Sequence, residues 1–127
     1  MKIKIAFYSH SIDYAGTWRS HERILLNLNQ DIFQPYVLYN QSIENNRLDF
    51  IIEKLGCEFV IPFLASTEKT GPDMGYTFIN TNFEEKLLEI NPDIIHFARS
   101  GYYEWPFTKR LSPIQIETNI FGFKDNS

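Results

Sequence analysis

Asn91-Pro92-Asp93-Ile94-Ile95-His96-Phe97 decides the fold class of this chain. A helix stops at Asn-Pro, because proline cannot supply the next helical N–H and pushes its predecessor out of the helical region. An apolar, β-branched run begins within two residues, which is a strand signal. That strand ends on polar groups: His96, then Arg99 and Ser100. In an open parallel sheet, residues just past the carboxyl ends of strands line the ligand crevice. A strand that delivers a His and an Arg there presents chemistry as well as core. The amino end repeats the form, with Lys2-Ile3-Lys4-Ile5-Ala6-Phe7-Tyr8 running into Ser9-His10-Ser11.

Working outward, strand and helix patterns alternate. After the first strand (2–8) and a loop (9–16), Trp18, Leu25, Leu28 and Ile32 recur at helical spacing, predicting a helix over about 17–28. Residues 35–39 read as a second strand. Leu48, Ile51, Ile52 and Leu55 share one face of a second helix that Gly56 is placed to end. Residues 58–61 read as a third strand, 83–90 as a helix, 94–98 as a fourth strand and 114–120 as a fifth. Asn82 with Glu85 three residues on suggests a capped helix start. The expectation is an α/β, Rossmann-like, doubly wound and mainly parallel sheet of about five strands, with helices on both faces. With strands one and four adjacent, His10 and His96 are expected to open into one crevice. Residues 64–81 show no periodicity and carry Gly71-Pro72-Asp73 and Gly75, so they read as a long loop, a lid or a disordered segment.

Composition bounds the function. The 127 residues read as one domain, 43% hydrophobic and 16% aromatic, with a formal net charge of -4. No cluster of Lys and Arg marks a nucleic-acid footprint. No apolar run is long enough to span a membrane, and the first residues lack the form of a signal peptide, so a cytoplasmic location is expected. The single Cys57 sits between strand-like residues and reads as a buried, inert thiol. The first strand is followed by neither Gly-x-Gly-x-x-Gly nor a P-loop. It also lacks the acidic pair of a phospho-receiver, and metal-ligand spacing is missing. What remains is Ala15-Gly16-Thr17 at a helix amino terminus, where free N–H groups and the helix dipole suit a phosphate; alternatively, Gly16 turns the chain and Thr17 caps the helix. His96 reads either as a crevice residue or as a backbone-bonded orienter of its loop, and Arg99 either as an anion partner or as a solvated cation.

Three places together resemble a known family. Ala15-Gly16-Thr17-Trp18-Arg19 lies where that family has a Gly-Gly pair and a helix start. Asn91 to His96 is similar to its pattern of Pro-Asp, two aliphatics and His. Ile116-Glu117-Thr118-Asn119-Ile120-Phe121-Gly122 looks like the strand that ends in its acceptor-side loop. The chain resembles the N-terminal domain of GT-B fold glycosyltransferases, especially the large retaining group numbered family four. It departs from the pattern at Ala15, in place of the first Gly, at Ala98, where a second His is frequent, and at Asn119, where a His is common.

The resemblance implies a glycosyltransferase that moves a sugar from a nucleotide-sugar donor to a glycan or lipid-linked acceptor. Gly16 and Thr17 would face the donor diphosphate. His10, Arg99, Ser100 and Asn119 would line the acceptor side, with His96 the candidate catalytic residue and no metal. In such enzymes a C-terminal domain holds the donor, so this chain is expected to bind no cofactor by itself and to be inactive alone. The fifth strand's outer edge would then be uncovered, and a homodimer through it is expected. Two alternatives stay open: a stand-alone doubly wound binding module, and part of a GT-B sugar epimerase.

Overall fold

A computed structural model describes residues 1–8, 12, 16–70, 75–79, 81–99 and 114–119, with 16–17, 67–70, 75–79, 97–99 and 114–119 described as backbone. The chain runs β1 (Ile3–Tyr8), α1 (Gly16–Leu26), β2 (Phe33–Asn40), α2 (Leu48–Leu55), a 3-10 turn (Cys57–Phe59), β3 (Val60–Phe63), β4 (Ser66–Thr70), β5 (Gly75–Ile79), α3 (Phe83–Ile90), β6 (Ile94–Arg99) and β7 (Ile114–Asn119). It is an α/β structure. β3, β2, β1 and β6 form a parallel sheet in that order, and β7 runs parallel alongside β6.

Strand alternation divides the core. Successive side chains of a strand point to opposite faces. Ile5 and Phe7 accordingly pack with Trp18 and Leu25 of α1 and Ile51 and Leu55 of α2. Ala6 and Tyr8 pack with Phe83, Leu87 and Ile90 of α3. Tyr8, Phe63 and Phe83 meet as a three-ring cluster on that second face, with centroids 4.9 to 5.8 Å apart. Central strands buried on both faces explain why β1 reads as a nearly unbroken apolar run.

The Asn-Pro-Asp turn explains how β6 finds its place. Asn91 takes the left-handed conformation (φ 52°), one of the few non-glycine residues that do so readily, and its N–H donates to the Leu87 carbonyl. Pro92 ends the helix. Asp93 and Lys4 then exchange bonds: the Lys4 N–H donates to Asp93 Oδ2 (2.9 Å), and the Asp93 N–H donates to the Lys4 carbonyl (2.9 Å). Lys4 Nζ also reaches the Ile90 carbonyl at the end of α3 (3.0 Å). From this clasp the strands pair Ile5 with Ile94 and Phe7 with His96.

Three local expectations are corrected. Residues 64–81 contain an antiparallel hairpin, with Ser66 opposite Ile79 and Thr70 opposite Gly75. Thr and aromatic residues favour strands without the apolar alternation that would have announced them. Asn82 does not cap α3 with its side chain. Its Oδ1 accepts the Leu64 N–H (2.8 Å) while its own N–H returns to the Leu64 carbonyl, closing the base of the hairpin. Thr81 Oγ1 accepts the Phe83 N–H instead. Cys57 is exposed, because it opens the 3-10 turn rather than extending β3. Gly56 ends α2 as expected, at φ 99°, with its N–H on the Ile52 carbonyl.

Asp93→Ala removes the acceptor that receives the Lys4 N–H. It should lower stability by about 0.5–1.5 kcal/mol, the net range for an ordinary intramolecular hydrogen bond, since this one is exposed. Urea unfolding measures this, and an unchanged midpoint would mean that the clasp does not hold β6.

Candidate functional site

The buried stripe of α1 is the core of the site. Trp18, His21, Glu22 and Leu25 follow the i, i+3, i+4, i+7 spacing that faces a helix to its sheet, and all four are buried. Two of these four are polar. A buried polar group needs partners, and a buried charge needs a counter-charge.

Glu22 has both. Arg47 grips its carboxylate with two bonds, Nε to Oε1 at 2.7 Å and Nη2 to Oε2 at 2.8 Å. Arg19 Nε lies 3.3 Å from Oε2, and Trp18 Nε1 donates to Oε1 at 3.2 Å. The paired, forked geometry makes the Arg47 contact the strong kind of ion pair. The Arg47 guanidinium also lies over the Phe50 ring, 4.4 Å from its centroid.

The same contacts tie the loops at the carboxyl edge together. The Arg47 N–H donates to the Ile12 carbonyl, and the Ile12 N–H donates to Asn45 Oδ1, both at 3.0 Å. Asn45 Nδ2 holds the carbonyls of Asn40 and Ile43 at 2.9 Å. Buried Asn40, the last residue of β2, spans to the Ala65 carbonyl and accepts the Ser42 N–H. Side-chain amides thus replace ladder bonds where the strands end.

Beside this cluster His21 of α1 stacks on His96 of β6. Their ring centroids are 4.6 Å apart and the planes are 28° from parallel. Phe7 meets both rings edge to face, at 5.6 and 5.2 Å, and Trp18 flanks His21 at 6.2 Å. His21 is fully buried and His96 is 7% exposed. Burial holds the His96 imidazole below its ordinary pKa, so at neutral pH its ring is neutral.

Of the residues singled out from sequence, His96 lies directly across from Phe7 but within β6 rather than at its end, because the strand continues to Arg99. Arg99 and Asn119 end β6 and β7 and are register partners, so the structure sets these two positions side by side. Gly16 and Thr17 open α1. His10 and Ser100 lie outside the described residues, and so does the expected meeting of His10 with His96. Sequence reasoning missed His21, Glu22 and Arg47. The signal for the first two was present: they fill the gap between Trp18 and Leu25 on the stripe already recognised. Arg47, in the connection ahead of α2, had no such signal.

Among the described residues no group of three or more His, Cys, Asp and Glu could hold a metal ion. No helix among them is long and apolar enough to cross a membrane. No family model, curated protein or solved structure matches the chain.

Glu22→Ala leaves Arg47 and Arg19 without their shared carboxylate in a buried setting. The expected cost is about 3–5 kcal/mol, as for breaking other buried ion pairs. Replacing both charged residues with apolar ones (Glu22→Leu with Arg47→Met) should cost clearly less than Glu22→Ala. Denaturant unfolding of the single and double variants tests this, and equal losses would contradict it.

Proposed function

We propose that this chain is the N-terminal, acceptor-side domain of a GT-B fold glycosyltransferase, with a Rossmann-like, doubly wound, five-stranded sheet. The observation that carries the reading is the parallel pairing of β6 with β1, which sets His96 against α1 and brings β6 to its carboxyl end at Arg99, three residues on. In open α/β sheets ligands bind at that edge. The likeness of residues 91–96 and 15–19 to the family's motifs supplies the reaction class.

In this reading the diphosphate of a nucleotide-sugar faces the amino end of α1 at Gly16 and Thr17, where backbone N–H groups and the helix dipole favour an anion. The acceptor, a glycan or a lipid-linked hydroxyl compound, lies toward His10, Arg99, Ser100 and Asn119. His96 is the candidate catalytic residue; as a neutral imidazole it is in the form that can accept a proton. The intact enzyme would use a second Rossmann-like domain to hold most of the donor, and would work in the cytoplasm. The outer edge of β7 would pair with a second copy wherever nothing else covers it.

A second reading is a stand-alone binding module. It is favoured by the Glu22 cluster, which spends its charge on Arg47 and Arg19 rather than facing an open cleft.

NMR titration of the chain with uridine, guanosine and thymidine diphosphate sugars separates the two. The glycosyltransferase reading expects shifts confined to the carboxyl edge, at Gly16, Thr17 and His96, with affinity weaker than micromolar. Half of a cleft cannot enclose the roughly 70–90% of a ligand that tight sites bury. No shift at that edge with any donor would count against the assignment. Micromolar binding would overturn the sharing of the donor between two domains.

A further inference from the structure

We propose that the side-chain amides of Asn40 and Asn45 form a relay that couples the chain after β1, at Ile12, to the β4–β5 hairpin, so that whatever displaces Ile12 also changes how firmly the hairpin is held. The relay stands apart from the glycosyltransferase reading and does not depend on it.

Topology places both ends of the relay on one edge. β1, β2 and β3 run parallel, so Ile12, the residues after Asn40 and the insert after Phe63 all follow carboxyl ends of strands. That is the edge at which open α/β sheets bind ligands. The insert, residues 64–82, is far longer than the roughly 2–6 residues that usually join a strand to its helix. Its two strands pair with each other from Ser66 and Ile79 to Thr70 and Gly75. A two-stranded hairpin has little stability of its own, so the hold on its base carries weight.

Two asparagines supply that hold, on consecutive residues. Asn82 exchanges bonds with Leu64, as described above. Asn40 Nδ2 donates to the Ala65 carbonyl at 3.2 Å. Asn40 is 1% exposed and Ala65 is 3% exposed, so water competes little for this bond. The Asn40 amide is oriented from its other side: Oδ1 accepts the Ser42 N–H at 2.9 Å, which turns Nδ2 toward Ala65.

Asn45 carries the link on to Ile12. Its Nδ2 donates to the carbonyls of Asn40 and Ile43, each at 2.9 Å, and its Oδ1 accepts the Ile12 N–H at 3.0 Å. Ile12 is itself buried, and its carbonyl accepts the Arg47 N–H at 3.0 Å. A shift at Ile12 therefore pulls on Asn45, and a shift of Asn45 pulls on Asn40. The residue whose carbonyl Asn45 holds is the residue whose side chain clamps the hairpin base.

Amide hydrogen exchange followed by NMR on the full chain tests the relay, with protection factors compared so that intrinsic exchange chemistry cancels. Asn45→Ala should lower the protection of amides in 66–70 and 75–79 about two- to tenfold, the equilibrium worth of one ordinary hydrogen bond. Asn45→Asp keeps the acceptor for the Ile12 N–H and removes both donors, so it should give a similar loss. Asp93→Ala removes a hydrogen bond at the opposite, amino edge of the sheet and should leave hairpin protection unchanged. If circular dichroism shows that Asn45→Ala is unfolded, Asn45→Asp decides. The proposal is overturned if the folded Asn45 variants leave hairpin protection unchanged, or if Asp93→Ala lowers it as much as they do.

Discussion

The exchange of hydrogen bonds between Lys4 and Asp93 fixes where β6 begins on β1, and the rest of the carboxyl edge depends on that starting point. A slip of one residue would turn every β6 side chain to the opposite face. Ile95, now in the α3 core, would exchange sides with His96, which would leave His21. The turn ahead of the clasp leaves little freedom, because Asn91 accepts the left-handed conformation and Pro92 forbids another helical turn. A short polar turn thereby sets the position of a ring pair within the strand that follows it.

The apolar core and the polar cluster under α1 divide the work. The two faces of β1 pack against different helices, and that burial is the main driving force for folding. The Glu22–Arg47 pair adds less net stability than its geometry suggests, because both charges lose their water. Its stronger effect is on uniqueness. With Glu22 bonded to Arg47, and Arg47 to the Ile12 carbonyl, α1, Ile12 and the connection after β2 are tied to one another. His21 and His96 then meet inside a frame that is already set.

Much of this could be read from the amino-acid sequence, for identifiable reasons. The β1 and β6 strands, the stop at Asn-Pro and the end of α2 at Gly56 are written in local periodicity and turn chemistry. The hairpin at 66–79 was not legible, because its strands lack apolar alternation and its partner is simply the other half of the same insert. Asn82 was misread as a cap because its real partner, Leu64, lies across that insert. His96 was recognisable from its place on the strand. Its stacking partner was not, because His21 lies within a helical stripe whose other marked positions, Trp18 and Leu25, are apolar. Arg47 needed the tertiary fold to meet Glu22, 25 residues away in sequence.

The most direct test of the central claim, that the Lys4–Asp93 clasp sets a register which brings His96 onto His21, is a nuclear Overhauser measurement on protein labelled at histidine. At neutral pH the account predicts cross-peaks between the ring protons of His21 and His96, and between His96 and Phe7, as rings with centroids 4.6 and 5.2 Å apart require. Cross-peaks from His96 to Phe83 or Leu87 of α3, with none to His21, would place the ring on the other face of the sheet and contradict the register.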